Sequence, residues 1–62
     1  MKTYDLTVKG HFQDYNYTIT TALNLENNIA NVATAYLAMA GSRYSKFIEK
    51  AILNGNYKLT AL

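Results

Sequence analysis

Two stretches near the start of the chain alternate apolar and polar residues, and the alternation matches between them. In the first, Tyr4, Leu6 and Val8 fall on one side and Thr3, Asp5, Thr7 and Lys9 on the other. In the second, Tyr15, Tyr17 and Ile19 oppose Asn16, Thr18 and Thr20. Period two, carried by β-branched and aromatic residues, predicts half-buried strands. Gly10 to Asp14 hold turn-forming residues, with Gly10 expected to supply a positive φ. Folded back as a hairpin, the segments set Val8 opposite Tyr15, Leu6 opposite Tyr17 and Tyr4 opposite Ile19. All three pairs are apolar in one register, and a one-residue slip would break every one of them. A hairpin with one apolar face needs a cover, so the rest of the chain must supply one.

The period changes near Asn24. Asn24 is placed to cap a helix, and Glu26 falls in the first turn, where the helix dipole favours negative charge. Leu25, Ile29, Val32, Ala33, Tyr36 and Ala40 follow helical spacing as one apolar face, with Met39 at its edge. Gly41 is a natural stop. A second helix, capped by Ser42 or Ser45, turns Tyr44, Phe47, Ile48, Ala51 and Ile52 inward and Arg43, Lys46, Glu49 and Lys50 outward. Asn54-Gly55 ends it, and Tyr57, Leu59 and Ala61 then alternate as a third strand. The expected fold is α+β. It is a single β-β-α-α-β domain over residues 1–62, an antiparallel hairpin plus third strand covered by two helices. The third strand is free to join either edge of the hairpin.

Length limits the core. A chain of 62 residues without cysteine has neither disulfides nor thiolate metal sites, and a core of this size supplies only ~3–5 kcal/mol. Self-association is one remedy, and a homodimer is expected. The single His11 cannot build a zinc site alone. Asp5, Asp14, Glu26 and Glu49 fall in different elements, and no spacing pairs two of them for acid–base work. No Gly-rich phosphate loop occurs. The expectation is a non-enzymatic protein with no cofactor and no metal. No apolar run approaches the ~20 residues of a membrane span, and the start of the chain lacks the apolar stretch of a signal peptide. A soluble, cytoplasmic protein with no membrane partner is the simplest expectation.

From Asn27 through Ser42 the chain carries no charge. A solvent-facing helix ordinarily shows Lys, Glu or Arg opposite its core stripe. Here Asn27, Asn31, Thr34, Ala35 and Ala38 are assigned to that outer face, with Ala30 and Leu37 beside them. Small uncharged residues permit close approach, so this face is the expected protein interface, with a second copy or with a target.

The segment Gly41-Ser42-Arg43-Tyr44-Ser45-Lys46-Phe47-Ile48-Glu49-Lys50-Ala51-Ile52 resembles the turn and second helix of ribbon-helix-helix repressors. Thr18-Ile19-Thr20 is similar to the strand with which those proteins enter the DNA major groove. The resemblance spans residues 18–52, and Arg43 stands where the family's turn carries its capping hydroxyl. It implies an obligate dimer that binds DNA. Thr18 and Thr20 would read bases, while Arg43, Lys46 and Lys50 would hold phosphates at a helix start. Three functions are expected, in order. The first is a small binding module acting through a protein–protein interface, in an accessory or inhibitory role of the phage or plasmid type. The second is a dimeric DNA-binding regulator. The third is an enzyme subunit with no activity of its own.

Overall fold

The computed structural model describes residues 1–62. Its elements run β1 (Lys2–Lys9), β2 (Asp14–Thr21), α1 (Ile29–Ala40), a 3-10 turn (Gly41–Arg43), α2 (Lys46–Leu53) and β3 (Tyr57–Ala61). This is the α+β order expected from the sequence. β1 and β2 pair antiparallel with Tyr4 opposite Ile19, Leu6 opposite Tyr17 and Val8 opposite Tyr15. β3 joins the other side of β1, giving the order β2-β1-β3. The choice follows from the helices. α2 packs on β1, and only residues 54–56 separate it from β3, so the returning strand is delivered to the free side of β1. The Lys9 amide donates to the Asn56 carbonyl at 2.9 Å and anchors that return.

Both helices lie on one face of the sheet, with α1 over β2 and α2 over β1. The core between the layers is Tyr4, Leu6, Val8 and Ile19 from the sheet. Val32, Ala33, Ala35, Tyr36, Ile48, Ala51 and Ile52 meet them from the helices, and Leu25 from the connecting loop. Every buried residue is hydrophobic, and fully burying a Leu, Ile or Val contributes roughly 1.5–3 kcal/mol. The Tyr4 hydroxyl is buried with them and has no hydrogen-bond partner.

Three local expectations change. The first helix starts at Ile29, and its cap is Asn28, whose side chain accepts from the Asn31 amide at 3.1 Å. Asn24 instead closes a turn by accepting from the Glu26 amide, and Asn27, at φ 57°, interrupts any helix before residue 28. Arg43 belongs to the 3-10 turn and precedes α2, whose N-cap is Ser45. Gly10 has no positive φ. Its lack of a side chain serves close approach, since a Cβ there would lie 2.3 Å from the Gln13 carbonyl oxygen. Gly41 does end α1 as expected, with φ 54° and its amide bonded to the Leu37 carbonyl.

Candidate binding surface

The backbone of β2 is open along one side. On β1, the Thr3 carbonyl accepts from Leu62 and the Lys9 amide donates to Asn56, so the odd residues of β1 turn their backbone groups toward β3. Alternation along an antiparallel ladder then gives the even residues Lys2, Tyr4, Leu6 and Val8 to β2. Their partners Tyr15, Tyr17, Ile19 and Thr21 bond inward. The amides and carbonyls of Asn16, Thr18 and Thr20 therefore face the free edge. The register runs unbroken from Lys2 opposite Thr21 to Lys9 opposite Asp14, so no bulge twists this edge away. No proline occurs, and Asp14 is the strand's one charge, held by Lys9 at 3.2 Å. Natural proteins usually blunt such an edge with charge, proline or a bulge.

On the helix side the same edge is flanked by α1. Tyr17, Tyr36, Met39, Ala40, Ser42 and Arg43 line one groove. Ile19, Thr21, Leu23, Thr34, Ala38 and Met39 are among the residues of a second, next along the strand. Met39 and Leu23 stay substantially exposed along them. Tyr17 stacks edge-on against Tyr36 with ring centroids 5.4 Å apart, and Tyr36 lies 6.3 Å from Tyr44. The Ser45 amide donates to the Tyr36 hydroxyl at 3.0 Å, which fixes the floor of the first groove. Burial pushes the Tyr17 phenol above its ordinary pKa, with the neighbouring Tyr36 and Tyr15 adding to the shift. Tyr44 is raised by its hydrogen bond to the Glu49 carboxylate. Arg43 makes no ion pair, so the groove ends in a free cation.

The five residues assigned to the outer helix face separate. Ala35 is 4% exposed and belongs to the core, which corrects its assignment to the interface. Asn27 lies in the turn before α1 and is not on the helix. Asn31 is half-buried in the first turn, and its side chain donates to the Asn24 carbonyl at 2.9 Å. Thr34 and Ala38 are exposed, and both line the groove along β2. The difference has a physical source: Leu25 is outside the helix and Ile29 is 41% exposed, so the buried stripe is rotated toward Ala35. The β2 edge was missed, although its signal was present: no charge occurs from Tyr15 to Leu25.

The residues assigned to nucleic acid do not converge. Thr18 and Thr20 project from the sheet face opposite the helices. There Thr20 and Thr3 share a 3.0 Å hydrogen bond, and Asn16 donates to Asp5 and Thr7 at 2.8 and 3.0 Å. Arg43, Lys46 and Lys50 sit in the helical layer, across the sheet from those threonines. The carboxylates are dispersed, and no three His, Asp or Glu side chains come together. No helix is long and apolar enough to cross a membrane. No family model, no curated protein and no solved structure matches this chain.

Proposed function

We propose that this protein is a small non-enzymatic binding module that engages another polypeptide through the flank formed by β2 and α1, in an accessory or inhibitory role. The observation that carries the reading is the coincidence of two unsatisfied surfaces. An open strand edge without a charge past Asp14 runs beside a helix that carries no charge along its whole length. A polypeptide satisfies both, supplying backbone partners to one and apolar contact to the other. Exposed Leu23 and Met39 are the side chains such contact would cover. The expected homodimer is one form of the same reading, provided that α1 and not the β2 edge makes the contact.

The test is retention of the native complex from source cells on immobilised protein, compared at ~0.1 M and ~1 M salt. Apolar contacts and backbone hydrogen bonds survive salt that screens exposed charges. Bound polypeptide should remain at high salt, be lost with Ala38→Glu and persist when Arg43, Lys46 and Lys50 are all replaced by Ala. A DNA-binding regulator gives the reverse pattern, steep loss with salt and loss with the basic residues, and that pattern would overturn the proposal.

A further inference from the structure

The geometry points to a lone extended peptide segment, added antiparallel to the free edge of β2, as the occupant of this flank; the inference deepens the reading just given and rests on it. Tyr17 lines one of the grooves beside the edge and Ile19 the other, and the two residues are two apart on one face of β2. Roughly 7 Å separates such positions on a strand, which is also the repeat of alternate side chains on an added partner. Apolar side chains two apart on the partner would fill the grooves. Those between them would extend the Thr and Asn face on the other side of the sheet, so small polar residues fit there. The backbone of Asn16, Thr18 and Thr20 offers the amides and carbonyls such a strand needs. An antiparallel segment runs with its C-terminal end toward the Tyr17 groove, where the unpaired Arg43 calls for a carboxylate.

A second copy pairing through its own β2 is disfavoured at the same edge. α1 packs on β2, so symmetric pairing would bring two α1 helices side by side over one face of the joined sheet, where packed helix axes need about 8–10 Å between them. A single strand brings no helix with it. The edge of β3 is a poorer site: that strand is shorter, carries Lys58 and has neither helix seated on it.

The probe is a capped synthetic peptide alternating threonine and valine and ending in glutamate, titrated into the isotope-labelled whole chain by NMR. The amides of Asn16, Thr18 and Thr20 should shift and gain protection from exchange, while those of Tyr57 and Leu59 stay still. Thr18→Pro removes an outward amide that bonds nothing within the chain, so the variant should fold and bind at least about tenfold more weakly. Ala38→Glu, on exposed helix surface, gives a second route to the same loss. Arg43→Glu should weaken the glutamate-ended probe and favour a lysine-ended one. The inference is overturned if β2 amides do not respond at millimolar peptide. It is also overturned if both sheet edges respond alike, or if the edge is already protected in a particle of doubled mass. Should any of these occur while Ala38→Glu still abolishes retention of a native polypeptide, the strand inference falls and the binding-module reading stands.

Discussion

A methyl group at Gly10 would meet the Gln13 carbonyl oxygen at 2.3 Å and Cε2 of Tyr15 at 2.9 Å. One of those is backbone and cannot swing away, so Gly10→Ala must open the hairpin turn. A cost of about 1–3 kcal/mol is expected, read as a lower midpoint in denaturant unfolding. Tyr4 behaves in the opposite sense. Its hydroxyl is fully buried and unpartnered, so Tyr4→Phe removes a desolvated polar group and keeps the ring. That variant should be as stable as the parent, or up to about 1 kcal/mol more so. Tyr17 sets a pH limit. Its pKa is raised above 10.0 in the folded chain, mainly by burial, so the folded state holds the proton more tightly than the unfolded state does. The stability this contributes is complete below pH 10.0 and is lost as pH rises through the folded value. Thermal unfolding followed upward from pH 9 should therefore show a decline that Tyr17→Phe makes shallower.

Ala35 and Ala38 separate the two sides of α1. Ala35→Glu places a carboxylate in the core and should unfold the chain, whereas Ala38→Glu should fold with an unchanged circular dichroism spectrum and lose only binding. Asn28→Ala removes the helix cap and should cost about 1 kcal/mol without touching the binding flank. The order of elements and the hairpin register were readable in the sequence, because three apolar pairs agree only in the observed register and Gly41 is a clear stop. The start of α1 was not readable. Asn24 and Asn28 are equally good caps, and the turn at Asn27 that decides between them depends on Leu25 being drawn into the core. A helix that starts one turn later than Asn24 presents a rotated face, with Ala35 in the core. The side of the hairpin that β3 joins was beyond the sequence for another reason: it depends on α2 packing against β1, a tertiary contact.

The molecule as a whole is a sheet with two open edges, of which that of β2 is the longer and has a helix packed beside it. β1 is satisfied on both sides, β3 is short and carries a lysine, and the helices are displaced toward β2. Charge follows the same division. Lys46 and Lys50 line α2, Lys58 lies on β3, and none of the basic residues is on β2 or α1. Of the six basic residues, Arg43 borders the β2–α1 flank, at the end of one groove, and the rest of that flank is uncharged past Asp14. Placing a photo-reactive side chain at Ala38, and in a second variant at Lys58 on β3, and irradiating the protein in its source cells, tests this division directly. Position 38 should yield a discrete polypeptide adduct and position 58 only background. Equal labelling at the two positions, or adducts with nucleic acid and none with polypeptide, would contradict the account.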